Sequence, residues 1–178
     1  MYLTFSHYVI RNYLQSDLKS LQEITGDPDL MKEMDHPYTL QETEEFLRRY
    51  GLNDPLYVYA LEDAETKKLA GHIIFHPYDE DSYEAGWIIH PSYQGRGLAQ
   101  KCTEQLIKEG MRSGIRRFVM ECTAANLTSR HVIEKCGFVY EGMQRDGLKR
   151  FGKFENVMCY SMLRDDYKKL KSQNVFAY

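Results

Sequence analysis

The sequence has no long apolar run, no closely spaced pair of cysteines and no excess of positive charge. A membrane-spanning helix needs roughly 20 apolar residues in a row, so none is predicted. The wide separation of the four cysteines favours neither a disulfide framework nor a zinc site, and we expect reduced thiols and no bound metal. A net charge of −3 and a pI near 6.1 argue against a dedicated nucleic-acid binder.

What the chain does contain is typical of one globular domain. It has 178 residues, of which 43% are hydrophobic and 28% are charged, and no linker rich in proline, glycine or serine divides it. We therefore predict a single domain over residues 1–178. The first residues lack a basic region followed by an apolar stretch, so no secretory signal is predicted and a cytoplasmic location is expected.

The hydrophobic period changes along the chain. Helix-start signals occur at Asp27-Pro28 and at Thr39-Leu40-Gln41-Glu42, which is a capping box. Elsewhere the pattern alternates between strand and helix. We predict helices over 98–111 and 129–136, strands over 8–13, 56–61, 69–75, 83–89, 117–122, 138–143 and 157–163, and a basic loop over 148–153. The fold class is α/β (α+β), with a mixed, mostly antiparallel central sheet of about seven strands flanked by helices.

The most informative segment lies where the strand 83–89 gives way to the helix at 98. After His90-Pro91 the chain reads Gln94-Gly95-Arg96-Gly97-Leu98-Ala99. A helix start offers backbone N–H groups and a positive dipole end to phosphate, and glycines let a diphosphate approach the backbone. The alternative is that these glycines only make a tight connection. The segment is not a P-loop, since Leu98 follows Gly97, nor a dinucleotide fingerprint, since position 100 is Gln100.

A second polar segment opens the helix predicted at 129–136. Asn126 is a good N-cap, a role that would account for it fully. Ser129 lies three residues further on, in the first turn. Its hydroxyl either points toward a ligand or is an ordinary polar group of that turn.

Together these two segments resemble the GNAT superfamily of N-acetyltransferases. Segment 94–99 matches the Gln/Arg-x-x-Gly-x-Gly/Ala signature, and Asn126-x-x-Ser129 followed by Glu134-Lys135-Cys136-Gly137-Phe138 is similar to the next element of that fold. The beginning of the chain (Ile10-Arg11-Asn12-Tyr13) and its ending at 160–167 resemble the branch of the ribosomal-protein N-terminal acetyltransferases RimJ and RimL. The resemblance covers residues 8 to 167.

The resemblance implies an enzyme that uses acetyl-CoA as cosubstrate and needs no metal. The backbone of segment 94–99 would hold the diphosphate, and Ile88 and Ile89 would pair with the pantetheine arm. Asn126 would contact the same arm, and Ser129 would lie near the thioester sulfur. Lys135 would approach the adenosine phosphates or else be a solvated helix charge. The implied cofactor-binding residues are Ile88, Ile89, Gln94, Gly95, Arg96, Gly97, Leu98, Ala99, Asn126, Ser129 and Lys135.

Acetyl transfer needs a neutral amine and a stabilised leaving thiolate, which assigns candidate catalytic residues. Glu84 is the first candidate for the general base and Glu121 the second, with an ordered water as a further alternative. Ser129, or alternatively Tyr140, would assist departure of the thiolate, since an ordinary thiol has a pKa of about 8.5. His90 is expected to be structural. We expect direct attack in a ternary complex, because Cys102 and Cys136 occupy apolar helical positions and are predicted to pack in the core.

The resemblance leaves the acceptor open. A protein N-terminal α-amine or a small primary amine comes first. An antibiotic or polyamine is the alternative, with Asp79-Glu80-Asp81 and Glu42, Glu44 and Glu45 as sources of negative charge. A catalytically silent CoA-binding sensor or scaffold is a third interpretation. Tyr38 and Tyr83 are candidates to line an acceptor pocket, Lys149, Arg150 and Lys153 would recognise an acidic partner or be solvated, and a homo-oligomer remains open.

Overall fold

The computed structural model describes residues 1–173, and residues 174–178 of the predicted domain lie outside this range. The described chain contains six α-helices and eight β-strands. In chain order they are β1 (Tyr2–Phe5), β2 (Tyr8–Arg11), α1 (Leu18–Thr25), α2 (Pro28–Met31), α3 (Leu40–Phe46), β3 (Val58–Asp63), β4 (Leu69–Pro77), β5 (Ser82–Ile89), α4 (Leu98–Arg112), β6 (Arg117–Thr123), α5 (Leu127–Lys135), β7 (Val139–Arg150), β8 (Lys153–Leu163) and α6 (Arg164–Ser172).

The chain forms two compact units. The first comprises residues 1–76 and 86–102, and the second comprises residues 77–85 and 103–173 of the described chain. The strands follow the order β1-β2-β3-β4-β5-β6-β8-β7 in one eight-stranded sheet. The prediction of a single domain over the whole chain stays a prediction.

The first unit is built on antiparallel pairs of β1 with β2, β2 with β3 and β3 with β4. The predicted helix starts are confirmed. The Asp27 carboxylate accepts hydrogen bonds from the backbone of Asp29 and Leu30, and Thr39 and Glu42 form a capping box. A π-helical turn, Leu47–Leu52, continues α3. These helices contribute to an apolar cluster that consists of Tyr13, Leu21, Ile24, Met31, Leu47, Val58, Ala60, Leu69 and Ile88.

The second unit contains a parallel pair followed by two antiparallel pairs. The start of β5 pairs in parallel with β6, so that Ser82 is opposite Arg117 and Glu84 is opposite Val119. β6 then pairs with β8, and β8 with the edge strand β7. Helix α4 lies close to the Phe118 side of β6, since a Cβ added at Gly110 would be 2.5 Å from the Phe118 ring. Fully buried side chains of this unit include Leu106, Ile107, Phe118, Met120, Ile133 and Tyr160.

The sheet has eight strands, so the expected number of about seven is too small by one. The missed strand is β1, which pairs with β2 through a tight turn at Ser6 and His7. Ser6 has a φ of 49°. Such turns favour glycine, asparagine or aspartate, and their absence here removes the usual sequence signal of a hairpin.

The predicted basic loop over 148–153 is wrong. Strand β7 extends to Arg150 and β8 begins at Lys153, which leaves a turn of only Phe151 and Gly152. Both turn residues have positive φ angles, 48° and 76°. Lys149 lies over the ring of Phe154, and Arg150 forms an ion pair with Glu155. These cross-strand contacts hold a hairpin whose polar composition resembles that of a loop.

Two other expectations can be compared with the structure. Cys102 and Cys136 are buried at 0% and 1% exposure, which confirms that they pack in the core. Within residues 1–173 no helix is both long and apolar enough to cross a bilayer.

A buried histidine makes the stability of the first unit dependent on pH. His72 and Tyr13 are both buried, and the Tyr13 hydroxyl lies 2.9 Å from Nδ1 of His72. Burial lowers the pKa of His72 from 6.5 to about 4. The folded protein therefore keeps this ring neutral at pH values where the unfolded chain binds a proton.

We expect the free energy of unfolding to fall as the pH falls from 6.5 to 4, because protons then bind preferentially to the unfolded state. The contribution of His72 over this window is on the order of 3 kcal/mol. Urea denaturation at a series of pH values measures it. The His72→Gln variant keeps a hydrogen-bond partner for Tyr13 and should lose less stability over the same window; an equal loss would contradict the assignment.

Candidate active site

The glycine-rich segment lies in the first unit, between β5 and α4. Gly95 and Gly97 have φ angles of 74° and 71°, in the left-handed region that favours glycine. A Cβ added at either position would meet no atom within 4 Å. The glycines are therefore required by the backbone conformation rather than by crowding from the protein. They leave open space at the N-terminus of α4, where the helix dipole is positive.

Neighbouring side chains hold the segment in place. The Gln94 side chain donates a hydrogen bond to the carbonyl of Ile89, and the Arg96 guanidinium donates one to the carbonyl of Ser92. Nδ1 of His90 accepts a hydrogen bond from the Ser92 backbone at 3.2 Å. His90 thus supports the turn, in agreement with its predicted structural role. Ile88 and Ile89 are buried at the end of β5.

A cavity of about 410 Å³ lies beside this segment within the first unit. Its charged groups have both signs. Arg96 packs over the Tyr93 ring, and the Tyr93 hydroxyl lies 3.2 Å from that of Thr66. The lining residues are Ser20, Glu23, Asp63, Thr66, Lys68, Leu69, His90, Ser92, Tyr93 and Arg96.

In the second unit the two candidate bases share one face of the sheet. Glu84 is in register with Val119 in the parallel pair, and Glu121 lies two residues beyond Val119 on β6. Residues in register, and residues two apart on one strand, point to the same side. Glu84 and Glu121 are therefore brought together. Tyr83 alternates with Glu84 and is in register with Phe118, so this candidate for the acceptor pocket lies on the opposite face.

The carboxylate of Glu121 accepts two hydrogen bonds on the same oxygen. The Tyr78 hydroxyl donates to Oε1 at 3.1 Å, and the Cys159 thiol donates to it at 3.6 Å. The pKa of Tyr78 is raised by the charge of Glu121, with smaller contributions from burial and from Glu84. The negative charges of both carboxylates therefore act on the Tyr78 hydroxyl, which remains protonated at neutral pH.

A third carboxylate on the same face is neutralised. Arg117 pairs with Glu141 at 2.6 Å, and the Ser161 hydroxyl donates to the other oxygen of Glu141, also at 2.6 Å. These hydrogen bonds and the nearby positive charge lower the pKa of Glu141. Glu141 therefore forms an ion pair within the protein, with Arg117.

Helix α5 places Asn126 and Ser129 as the sequence predicted. The Asn126 side-chain oxygen accepts the backbone N–H of Ser129 at 3.0 Å, which confirms the N-cap. Ser129 is half-buried and Lys135 is exposed at the other end of the helix. Tyr140, the alternative to Ser129, is 48% exposed, and its ring centroid lies 5.3 Å from that of Tyr160.

The acidic stretches named for polycation binding are largely engaged in local contacts. Glu42 is bonded to Thr39 and His36, which lowers its pKa to about 2. Asp79 accepts two backbone hydrogen bonds from residues 81 and 82, and Asp81 lies 3.5 Å from Arg116. Tyr38 packs against Phe46. These contacts give Glu42, Asp79 and Asp81 structural roles.

Comparison with known proteins decides the family. The family described as "Acetyltransferase (GNAT) domain" matches residues 7–139, three quarters of the chain and all of the glycine-rich segment. The chain belongs to the GNAT acetyltransferases. The predicted enzyme class and fold are therefore confirmed.

Relatives extend over nearly the whole chain of this GNAT acetyltransferase. An uncharacterized N-acetyltransferase, YnaD of Bacillus subtilis, is 26% identical over 94% of this chain and 99% of its own. Spermidine N(1)-acetyltransferase of Vibrio cholerae is 24% identical over 91% of this chain and 96% of its own.

Solved structures show the same fold. A GNAT-family acetyltransferase from Bacillus anthracis has a TM-score of 0.86 and 26% identity, covering 93% of this chain and 99% of its own. RimL, a ribosomal L7/L12 α-N-protein acetyltransferase crystallised with coenzyme A, has a TM-score of 0.82 and 22% identity, covering 93% and 99%.

Sequence reasoning missed Tyr78, Cys159, Arg117 and Glu141, which contact or accompany the carboxylates on the sheet face of Glu84 and Glu121. Tyr78 and Glu121 are 43 residues apart, and Cys159 and Glu121 are 38 apart. No local motif connects them. Strand alternation in β6 distinguishes Glu121 from its apolar neighbours, but it does not indicate which residues of other strands contact Glu121.

The Asn126 cap gives a stability prediction that is independent of any ligand. Replacing Asn126 with Ala removes the acceptor of the Ser129 N–H and should lower the free energy of unfolding by about 1 kcal/mol. Asn126→Ser keeps a capping oxygen and should lose only a small part of this. Urea denaturation compares the two, and equal stability of the Ala variant and the native protein would show that the cap contributes nothing.

Proposed function

We propose that this GNAT acetyltransferase transfers the acetyl group of acetyl-CoA to a primary amine by direct attack in a ternary complex. The main observation behind the proposal concerns Gly95 and Gly97. Their φ angles lie in the left-handed region, and both residues leave open space beside the backbone at the start of α4. Backbone N–H groups at a helix start are suited to a diphosphate. The coenzyme A present in the RimL structure supports the same ligand.

The proposed residue roles are those that the resemblance to the GNAT family implies. Segment 94–99 holds the diphosphate through its backbone, and Ile88 and Ile89 pair with the pantetheine arm. Asn126 contacts that arm through its amide group. Ser129 donates a hydrogen bond to the departing sulfur, with Tyr140 as the alternative donor. Lys135 contributes positive charge to the adenosine phosphates.

The chemistry is carried by a carboxylate and the attacking amine. The amine nitrogen forms a bond with the thioester carbonyl carbon as the carbon–sulfur bond breaks, and the proton lost by the amine goes to Glu84. Glu121 is the second candidate for this base, and an ordered water the third. Backbone amides polarise the carbonyl oxygen. Cys102 is unsuited to a covalent intermediate, because burial raises the pKa of its thiol far above the ordinary value.

The first acceptor to consider is a protein N-terminal α-amine, as in the RimL protein that shares this fold. A polyamine is the second candidate, favoured by the similarity to the spermidine acetyltransferase and by the two carboxylates on one sheet face. An acetyl-CoA sensor without turnover would retain the glycine-rich segment but would not depend on Glu84.

A substitution of Gly97 tests whether the glycine-rich segment binds the diphosphate. We expect Gly97→Ala to weaken acetyl-CoA binding by about tenfold or more, because a methyl group would occupy the space that a phosphate needs beside the backbone. Isothermal titration calorimetry measures the dissociation constant.

Strain alone must be separated from this effect, since alanine at a positive φ costs about 1–2 kcal/mol. Gly152 is the matched control, with a φ of 76° and no atom within 4 Å of an added Cβ, in the β7–β8 turn. Gly152→Ala should lose similar stability but bind acetyl-CoA normally. If both variants bind equally well, the diphosphate is held elsewhere.

A substitution of Glu84 tests whether this residue is the general base. At pH 7 a peptide α-amine is roughly 10% neutral and a lysine-like amine roughly 0.04% neutral. We expect Glu84→Gln to lower kcat/KM at pH 7 by about 10²–10⁴-fold, since a general base typically contributes this much. The loss should shrink as the pH rises toward the pKa of the amine, and it should shrink at lower pH for an α-amine than for a side-chain amine.

A pH–rate profile from pH 6 to 9 with each amine provides the measurement. Glu121→Gln in parallel distinguishes the two carboxylates. Native activity of Glu84→Gln across this range would assign the base to Glu121 or to a water.

A further inference from the structure

The connection between α2 and α3, residues 32–39, carries a histidine held between two carboxylates. Nδ1 of His36 lies 3.0 Å from Oδ1 of Asp35, and Nε2 of His36 lies 3.0 Å from Oε1 of Glu42. Asp35 belongs to the connection, whereas Glu42 belongs to the first turn of α3. The ring therefore joins the connection to the helix, and we call Asp35, His36 and Glu42 the His36 bridge.

A protonated ring satisfies both contacts, and a neutral ring does not. Neutral imidazole has one N–H donor and one acceptor nitrogen, whereas imidazolium has two donors, and an ionised carboxylate only accepts hydrogen bonds. With a neutral ring, one nitrogen lone pair would face a carboxylate oxygen at 3.0 Å, whichever tautomer forms. The geometry at His36 is therefore that of a cation with a proton on each nitrogen.

Both carboxylates of the bridge are ionised well below neutral pH. The backbone N–H of Thr39, followed by the His36 ring, lowers the pKa of Glu42 to about 2. Burial acts in the opposite direction at Asp35, but hydrogen bonds from the backbone and ring of His36 lower its pKa below the ordinary value of 3.8. Hydrogen bonds to Glu42 and Asp35 in turn raise the pKa of His36 above 6.5. His36 is thus the group of the bridge that titrates nearest to neutral pH.

The contacts on either side of the bridge do not depend on the ring. Oε2 of Glu42 accepts hydrogen bonds from the backbone and hydroxyl of Thr39, so the capping box remains when Oε1 is released. The backbone N–H of Tyr38 donates to the carbonyl of Thr25 in α1 at 2.7 Å. Tyr38 and the start of α3 are therefore held separately, and residues 35–37 are the part of the connection that the bridge holds.

We propose that the His36 bridge is a pH-sensitive contact, closed when the ring is protonated and reduced to one carboxylate contact when the ring is neutral. Protons bind preferentially to the closed form, so the bridge closes as the pH falls and opens as the pH rises through the titration of His36. The three side chains are between 44% and 54% exposed, which lets the ring exchange protons directly with solvent.

The bridge lies beside a residue that was predicted to line an acceptor pocket. The charged groups that face the His36 ring are Asp35 from the connection and Glu42 from α3. The Tyr38 ring centroid lies 5.3 Å from that of His36, and the Tyr38 hydroxyl donates to Oδ2 of Asp35 at 3.4 Å. Opening of the bridge therefore changes the surroundings of Tyr38, whether or not an acetyl group is transferred.

The first measurement is an NMR titration of the histidine rings in the full chain. The His36 ring should titrate at a lower pH in Asp35→Asn and in Glu42→Gln than in the native protein, and at the lowest pH in the double variant, because each carboxylate stabilises the cation. Glutamine also serves in a capping box, so Glu42→Gln retains the start of α3. The ring signals of His131, which is exposed on α5, are the internal reference and should be the same in all variants.

The second measurement is hydrogen exchange of the backbone amide at position 36, which donates to Oδ1 of Asp35 at 2.7 Å. Its protection factor should fall about two- to fivefold between pH 6 and pH 8 in the native protein, a small change because exposed ion pairs are weak. In His36→Gln the protection factor should not change with pH. The amides of Tyr38 and Glu42, held by α1 and by the capping box, should keep their protection in both proteins.

The two measurements together decide the proposal. A lower titration of His36 in both single variants, with pH-dependent protection that is lost in His36→Gln, supports it. A titration that shifts with one carboxylate or with neither would overturn the bridge. Protection at position 36 that is independent of pH in the native protein, or that changes equally in His36→Gln, would overturn the pH-sensitive opening. The amide spectra monitor folding, and if one single variant does not fold, the other single variant and His36→Gln provide the test.

Discussion

The parallel pairing of β5 with β6 is the constraint on which the proposed chemistry depends. It sets Glu84 opposite Val119 and thereby places Glu84 and Glu121 on one face of the sheet. Side chains alternate along a strand, so a slip of one residue would turn Glu84 to the side of Phe118 and bring Tyr83 in its place. Ala85 lies on the same side of β5 as Tyr83 and is buried at 2% exposure, and its burial opposes such a slip. Core packing on one face thus fixes the functional groups on the other.

The two proposed binding functions use different parts of the chain. Cosubstrate recognition is proposed to rely on the backbone, where the absence of a Cβ at Gly95 and Gly97 leaves open space. Acceptor recognition is proposed to involve the carboxylates that Glu84 and Glu121 present on one face of the sheet.

Local features of the fold were predictable because each is encoded by adjacent residues. The Thr39–Glu42 capping box, the Asn126 cap and the glycine-rich start of α4 all belong to this group. The hairpin turns at Ser6 and Phe151 were not predictable, because serine and phenylalanine rarely adopt the positive φ angles that these two residues have here. The contact between Tyr78 and Glu121 depends on which strands are neighbours in the sheet. The hydrophobic pattern of a single sequence does not specify the strand order.

The most direct test of acetyl transfer by this protein measures thiol release from acetyl-CoA in the presence of single amines, with mass spectrometry of the product. If the chain is an N-acetyltransferase, thiol appears only when a primary amine is present, and the amine gains one acetyl group. The rate of thiol release should also rise with the amine concentration to saturation. Binding of acetyl-CoA without transfer to an α-amine, a polyamine or lysine would contradict the proposed function, and would indicate a protein that senses acetyl-CoA without turning it over.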